Sequence, residues 1–284
     1  MPPDPDSPRT TASGAGHLVS AFTATRARFL EGFAAQVGLT VGDLARPGLS
    51  IAPRVDRAGS RAVACYQADR RLVLWCDPDV ADRLASIGIG QGRTETAPAT
   101  EAGVPDAAQL GHALATAGFE WVAEALMLVL GHQPPPVATP PGRYDHRSLR
   151  ADDPSDMAAI RAFVDRSDPD DVEAAALDEI DDGFDEVAIE VLVDDGPDGD
   201  RLVAYASALA WDWDPGFSDI GVLVDRSHRG RGLARFVVAR SIEAQLAAGL
   251  LPLYRHETSN PASAAVARSL GFVRVTSLSY FRLP

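Results

Sequence analysis

The order of elements between residues 219 and 248 constrains the fold of this chain more than any other feature. The run from Asp219 to Val224 is mostly apolar and predicts a short buried strand. A basic, glycine-rich turn, Arg229-Gly230-Arg231-Gly232, follows it, and apolar residues then recur at helical spacing to Ala248. Free N–H groups and the positive dipole end at a helix N-terminus bind anions such as phosphate, and glycines let the backbone come close to the ligand. The segment therefore predicts an anion site in an α/β domain.

This segment resembles the acetyl-CoA loop of the GNAT superfamily of N-acetyltransferases. The family pattern is Arg or Gln, two residues, Gly, one residue, and Gly or Ala, and it corresponds here to the run from Arg229 to Ala234. A second family signature, from Asn260 to Phe272, follows at the expected distance. The run from Gly249 to Ser263 is similar to an actinobacterial subgroup that includes the zwittermicin-resistance type. The resemblance covers about half of the chain.

The resemblance implies that acetyl-CoA binds along the predicted strand and turn. The pantetheine arm would bond to the backbone of Val222, Leu223 and Val224. The pyrophosphate would meet the backbone N–H groups of Gly230, Arg231, Gly232, Leu233, Ala234 and Arg235, with added positive charge from Arg229 and Arg231. Asn260 would hold the cofactor arm, and Ser263 is a further candidate contact. Asn260 before Pro261 is also a good helix N-cap, so its residue type alone fits both roles.

The expected general acid is missing. Many family members place a tyrosine seven residues after the signature asparagine, where it protonates the departing thiolate, but this chain has Ala267 there. Tyr254, His256 and Tyr280 are the alternative candidates, and water or a solvated thiolate is a further alternative. Tyr254 and His256 lie on the same face of their predicted strand by the two-residue period.

A neutral amine must attack in an N-acetyltransferase, so a base has to remove an ammonium proton. Asp219 begins the strand that borders the gap expected in this family, and it is the preferred candidate for the base. Glu257 ends the opposite strand. Asp212 and Asp214 alternate with Trp211 and Trp213 in the preceding loop, where the aromatic rings either form an apolar wall around a substrate or pack as an ordinary loop.

Composition limits the partners. The formal net charge is −14, and all 26 basic residues are arginines. A chain this acidic repels nucleic acid and anionic membranes but tolerates an amine substrate. No apolar run is long enough to span a membrane, and no signal peptide is recognisable. Cys65 and Cys76 lie in apolar runs and favour buried, reduced thiols in a cytoplasmic protein, and no Cys and His cluster indicates a metal.

A proline-rich segment from residue 131 to 142 predicts a boundary near residue 140. We expect an unstructured tail at residues 1–16, a smaller α/β module at 17–140 and a GNAT domain at 141–284. The resemblance implies a mixed sheet flanked by helices in the second part. Whether the first part is a degenerate copy of the same fold is left open. Glu120 to Leu130 fits a strand or a buried helix, and residues 90–103 read as a loop.

The expected elements of the second part alternate between strands and helices. They are strands at 144–149, 187–193, 201–210, 219–224, 251–257 and 272–283, and helices at 154–165, 171–180, 232–248 and 261–269. Val238, Ile242 and Leu246 recur every four residues in the longest helix and predict its buried side.

Together these observations predict an acetyl-CoA-dependent N-acetyltransferase that transfers its acetyl group directly to a primary amine of a small molecule. Two other functions remain open. One is a CoA-binding sensor or structural module that has lost catalysis, which the missing tyrosine favours. The other is a toxin that acetylates aminoacyl-tRNA, which the negative charge disfavours. A monomer and a homodimer are equally compatible with the sequence.

Overall fold

The computed structural model describes residues 13–54, 61–89, 107–132, 134, 136, 139–140, 142–175, 177, 186–196, 199–211 and 213–284. The predicted loop at 90–103 lies outside these residues, as does Asp212. None of the helices in the described ranges combines the length and the apolar character that a membrane span requires.

Helices and strands alternate along most of the chain. The helices are α1 (Ser13–Gln36), α2 (Val41–Leu44), α3 (Pro78–Ser86), α4 (Ala107–Thr116), α5 (Pro154–Asp165), α6 (Pro169–Ala174), α7 (Leu233–Ala247) and α8 (Pro261–Ser269). The strands are β1 (Gly48–Pro53), β2 (Ala62–Ala68), β3 (Arg71–Cys76), β4 (Glu120–Leu130), β5 (Tyr144–Leu149), β6 (Glu186–Gly196), β7 (Gly199–Ala210), β8 (Phe217–Val224), β9 (Leu251–Glu257) and β10 (Phe272–Arg282).

Three expectations about the helices need correction. Helix α1 begins at Ser13, inside the segment expected to be an unstructured tail. Helix α6 begins at Pro169 rather than at residue 171, because Asp168 caps its N-terminus, and it ends at Ala174. Leu246 is 43% exposed although Val238 and Ile242 are buried. A four-residue spacing drifts around a helix of 3.6 residues per turn, and Gln245 takes the buried position instead.

All ten strands form one mixed sheet in the order β1-β3-β2-β10-β4-β9-β8-β7-β6-β5. Strand β4 comes from the first half of the chain but lies between β9 and β10 of the second half, antiparallel to both. Strand β10 in turn pairs with β2 on its other edge. The strand interpretation of Glu120 to Leu130 is therefore the right one, and the sheet runs without a break through both halves.

Helices cover both faces of the sheet. On one face, α7 and α8 bury an apolar cluster that includes Ile220, Tyr254 and Phe272. On the opposite face, α1 covers the neighbouring strands through Phe29 and Phe33, which pack on Phe217, Leu253 and Met127. A buried hydrogen bond of 2.5 Å from Ser218 to Gln245 also ties β8 to α7. The mixed α/β architecture expected from the sequence is confirmed.

Candidate active site

A wedge-shaped gap opens in the middle of the sheet, between the parallel strands β8 and β9. They pair over three rungs only, from Phe217 opposite Leu251 to Asp219 opposite Leu253. Beyond Asp219, β8 continues to Val224 with β7 as its partner, while β9 continues beside β4. The backbone groups of β8 that face the gap therefore have no strand partner, and an extended ligand with amide groups can bond to them.

A cavity of about 410 Å³ lies at this gap. Strand β8 lines it with Ile220, Val222, Leu223 and Val224, and β9 lines it with Tyr254 and Arg255. The first turn of α7 and the first turn of α8 close two further sides. All of the residues assigned to acetyl-CoA by the sequence resemblance border this one cavity, except Arg231.

The N-terminus of α7 is built differently from the other helix starts. Helices α2, α3, α5, α6 and α8 each have a side-chain cap, whereas the N-cap of α7 is Gly232, which offers no side-chain hydrogen bond to the first turn. Gly230 and Gly232 have φ angles of +75° and +79°. A Cβ at either position would have no neighbour within 4 Å in the structure, so the glycines face open space. The N–H groups of this turn are available to an anion in the cavity.

The arginines of this loop differ in their availability. Arg229 lines the cavity, but its guanidinium lies 2.7 Å from the Asp171 carboxylate of α6. Arg231 turns away and donates to the Tyr144 hydroxyl at 2.6 Å. Arg235 borders the cavity, is exposed, and has no ion pair with any described residue. Arg235 is therefore better placed to add charge for a phosphate than the two arginines that the motif indicated.

Asn260 caps α8 and also borders the cavity. Its Oδ1 accepts a hydrogen bond of 2.9 Å from the backbone N–H of Ser263, so it caps α8. Asn260 and Ser263 also border the cavity, and the Asn260 amide nitrogen donates to no described residue. The cap orients the side chain and leaves its donor free for a ligand.

Tyr254 is the candidate acid that reaches the cavity. It is fully buried, and its hydroxyl lies 2.9 Å from the Ser263 hydroxyl on α8. Burial raises the pKa of Tyr254 to about 12, so its phenol stays protonated at neutral pH. Ala267, at the usual tyrosine position, is buried in the same apolar cluster. Tyr254 thus brings a phenol to the cavity from β9 rather than from α8.

The other acid and base candidates do not reach the cavity. The His256 ring is buried, and its Nδ1 donates to the Glu257 backbone carbonyl at 2.8 Å. Glu257 is exposed and accepts a hydrogen bond of 2.8 Å from Ser259. Tyr280 packs with the cluster under α1 on the opposite face of the sheet. Neither His256 nor Glu257 borders the cavity.

Asp219 also does not border the cavity, but it lies at the apex of the gap, on the last rung between β8 and β9 and on the face opposite Tyr254. Its Oδ2 lies 3.2 Å from a guanidinium nitrogen of Arg255, and its Oδ1 is buried without a hydrogen-bond partner among the described residues. Burial raises the pKa of the Asp219 carboxyl, and the charge of Arg255 and the backbone N–H of Ile220 offset only part of that shift. A carboxylate with a raised pKa and a free oxygen can accept a proton from a ligand amine.

The segment before β8 that carries Trp211, Trp213 and Asp214 has in part a structural role. Asp214 forms a two-pronged ion pair with Arg28 of α1, with distances of 2.9 and 2.8 Å. Trp213 packs against Phe33, Tyr66 and Trp75 in an aromatic cluster. Trp211 is different because its ring lies 5.9 Å from the Arg255 guanidinium carbon and its indole N–H is buried without a partner in the described chain.

Two features of the site escaped the sequence analysis. Arg255 was passed over, although a charged residue alternating with buried ones in β9 was a visible signal. Helix α6 contributes Asp171 and Ala174 to the cavity wall. Its last carbonyl, from Ala175, lies so close to β8 that a Cβ on Gly221 would be 2.5 Å away. No short motif predicts these contacts, since they depend on where α6 lies on the sheet.

Comparison with known proteins agrees with this geometry over part of the chain. Residues 195–281 match the family model described as GNAT acetyltransferase. The match covers β7 to β10 with α7 and α8. These elements include the gap, Asn260 and the loop of residues 225–232 between β8 and α7, which we call the anion loop. No curated protein matches the chain. The sequence resemblance to the zwittermicin-resistance subgroup remains a prediction.

Several solved structures are similar to part of this chain at low sequence identity. A GNAT-family protein from Novosphingobium aromaticivorans is 20% identical, with 58% of this chain and 66% of that chain covered and a TM-score of 0.43. A GCN5-related N-acetyltransferase from Kribbella flavida is 19% identical, with 62% and 63% covered and a TM-score of 0.45. The chain thus spans less than two thirds of either relative. A Salmonella typhimurium protein solved with its cofactor acetyl-CoA is 22% identical, with 50% and 95% covered and a TM-score of 0.35.

Proposed function

We propose that this protein is an acetyl-CoA-dependent N-acetyltransferase that acetylates a primary amine of a small molecule by direct transfer. The observation that carries the proposal is the cavity at the gap, where an uncapped helix N-terminus and unpaired strand backbone meet. The buried Asp219 carboxylate lies beside it, on the last rung between β8 and β9. The match of residues 195–281 to the GNAT acetyltransferase family model supports it.

Each part of acetyl-CoA has a chemically suitable counterpart. The pyrophosphate binds the N–H groups of the first turn of α7, with Arg235 as a nearby cation. The pantetheine amides bond to the gap-facing backbone of β8 around Val222 and Val224. Asn260 donates its free amide to the cofactor arm. The acetyl thioester then lies near the apex of the gap, between the Tyr254 and Asp219 sides of the sheet.

Asp219 and Tyr254, the two polar groups near the apex, have different roles in the reaction. Asp219 accepts a proton from the ammonium group, and the neutral amine nitrogen then attacks the thioester carbonyl carbon. As the carbon–sulfur bond breaks, the nitrogen releases a second proton to solvent, and CoA leaves as a thiolate that takes up a proton to become the thiol.

Tyr254 donates a hydrogen bond to the leaving sulfur. Its pKa of about 12 exceeds that of an ordinary thiol, about 8.5, so full transfer of its proton would cost about 5 kcal/mol. Tyr254 therefore stabilises the thiolate as a hydrogen-bond donor, and solvent supplies the proton.

The test is binding of acetyl-CoA to Gly232→Ala, measured by titration calorimetry. Gly232 has positive φ and an empty space above it, so a methyl group there occupies the volume of a bound phosphate and strains the backbone. We expect affinity to fall at least 10-fold. Gly38→Ala is the matched control, since Gly38 also has positive φ and no neighbour but lies at the end of α1. Equal affinity in wild type and Gly232→Ala would refute the proposed cofactor site.

Because binding of acetyl-CoA alone does not demonstrate catalysis, turnover is measured as well. Thiol release from acetyl-CoA in the presence of a panel of primary amines measures the transfer itself. Tight acetyl-CoA binding with no release for any amine would contradict the enzymatic function and favour a CoA-binding sensor. The observation that motivates the sensor is Ala267, which stands where many members of the family have a tyrosine.

A further inference from the structure

Two buried polar atoms on the α1 face of the sheet have no hydrogen-bond partner in the described part of the chain. They are Oδ1 of Asp219, an acceptor, and Nε1 of Trp211, a donor. An unpaired buried polar group destabilises the folded state, so native proteins keep such groups mainly where a ligand or water pairs with them. Two opposite groups left unpaired in one region indicate a ligand that offers both a donor and an acceptor.

Arg255 brings these two groups into one site. Its guanidinium lies 3.2 Å from the other oxygen of Asp219, and its central carbon lies 5.9 Å from the centre of the Trp211 ring. The strand register agrees, because Leu209 of β7 lies opposite Asp219 and Trp211 follows Leu209 by two residues on the same face. The side chain of Arg255 is 37% exposed, whereas Oδ1 of Asp219 and Nε1 of Trp211 are buried, so the group meets solvent through Arg255.

We propose that the acceptor is an α-amino acid that binds here as a zwitterion, and this rests on the acetyltransferase function proposed above. Its amino group donates to Oδ1 of Asp219. Its carboxylate accepts from the indole N–H of Trp211 and from the guanidinium of Arg255. The ion pair of the protein thus faces an ion pair of opposite orientation in the substrate.

Charge matching favours a zwitterion over other amines. Asp219 and Arg255 together carry no net charge, so a zwitterion enters without leaving an unpaired charge in the site. A simple alkylamine pairs with Asp219 but leaves the Trp211 N–H unpaired. Recognition of a carboxylate by a planar guanidinium with a second donor beside it is geometrically specific.

The amino group of the substrate also reaches the reacting centre in this arrangement. Asp219 forms the last rung between β8 and β9, directly below the point where the strands separate. The amine is held there while it loses its proton to Asp219, and its nitrogen then bonds to the acetyl carbon as the thioester bond breaks. The products are an N-acetyl amino acid and the CoA thiol.

The first experiment compares matched acceptors by thiol release from acetyl-CoA. One set is leucine, leucinamide and isoamylamine, and the other is phenylalanine, phenylalaninamide and phenethylamine. Each rate is divided by the fraction of the acceptor whose amine is neutral at the pH of the assay. We expect kcat/KM to fall at least 10-fold from the acid to the amide and further to the decarboxylated amine. Equal or higher kcat/KM for the decarboxylated amines would overturn the amino-acid proposal while leaving the acetyltransferase function intact. No release for any of the six, together with release for another amine of the wider panel, would also overturn the amino-acid proposal alone. No release for any amine tested would instead count against the acetyltransferase function.

The second experiment uses Trp211→Phe, which removes the indole N–H and keeps an aromatic ring. We expect KM for the amino acid to rise about 10-fold, with kcat/KM for the decarboxylated amine and affinity for acetyl-CoA unchanged. Trp121→Phe is the control, because Trp121 is 61% exposed on β4 and its substitution should leave both acceptors unaffected. An equal loss for amino acid and amine in Trp211→Phe would show a structural role and refute carboxylate recognition.

Discussion

Arg255 lies 3.2 Å from Asp219 across the gap between β8 and β9, two residues beyond the last backbone pair of the two strands. The ion pair closes the apex of the wedge at the place where main-chain hydrogen bonds stop. The proximity of Asp219 also raises the pKa of Arg255, so the guanidinium keeps its charge. The pair therefore stabilises the branching of the sheet and places a charged base at the proposed reacting centre.

Asp219→Asn should lower kcat by about 10² to 10⁴, the usual contribution of a positioned general base. Because burial raises the pKa of Asp219, wild-type kcat/KM should rise with pH through a value above that of ordinary aspartate, and this limb should disappear in the variant. The folded state also holds this proton to higher pH than the unfolded state, so the stability contributed by Asp219 falls as pH rises through that interval. Rate profiles and denaturant unfolding at several pH values check both effects.

Asp214→Asn provides the control for that experiment. Asp214 is bonded to Arg28 of α1 and to the backbone of Gly216 rather than to the gap. Its removal should lower stability and leave the acid limb of the rate profile in place. An acid limb that survives in Asp219→Asn would assign the base to another group.

Tyr254→Phe should lower kcat 10- to 100-fold with little change in affinity for acetyl-CoA. The phenol fills the apolar cluster equally well without its hydroxyl, so the loss falls on the leaving thiolate. Because the pKa of Tyr254 is about 12, no alkaline limb from this residue is expected below pH 10. Stopped-flow thiol release measures the step. Unaltered kcat in Tyr254→Phe would exclude this residue from catalysis.

Asp225→Asn should destabilise the anion loop. Burial opposes ionisation of Asp225, but hydrogen bonds from Ser227 and His228 and the charge of Arg201 lower its pKa to about 2. A carboxylate with a lowered pKa stabilises the fold above its unfolded pKa and loses that effect as pH falls toward the folded value. Thermal unfolding should therefore show a stability loss in wild type between about pH 4 and pH 2 that is reduced in the variant. Asp152→Asn, in an exposed pair with Arg150, should change little.

A fragment of residues 143–284 should not fold alone. It lacks β4, which pairs with β9 over five residues and with β10 along nearly its whole length, so two long strand edges would be exposed. We expect loss of cooperative unfolding and of acetyl-CoA binding, measured by circular dichroism and calorimetry. Co-expression with residues 1–142 should restore both. A soluble, cooperatively folded fragment with unchanged affinity would show that the first half has no part in the site.

Features that depend on neighbouring residues were predicted from the sequence more completely than contacts between residues far apart in the chain. Strands β5 and β9 and helices α5 and α8 were predicted to the residue, and Asn260 was recognised as a cap, because alternation, helical spacing and caps are encoded within a few neighbouring residues. Helix α2 was not predicted because it has only four residues, and β1 was not predicted because it has a single buried position. Residues along the anion loop were placed at one cavity, although Arg231 turned away from it.

The sequence by itself thus determined the strand, glycine turn and helix of the anion loop, the cap of α8 and the α/β class. These depend on interactions between residues close together in the chain. Only the tertiary structure decided that β4 of the first half lies between β9 and β10, that Tyr254 rather than His256 faces the cavity, and that Arg255 pairs with Asp219 beside Trp211. Each of these depends on strand pairing and on the packing of residues distant in sequence, whose register no local pattern of side chains specifies.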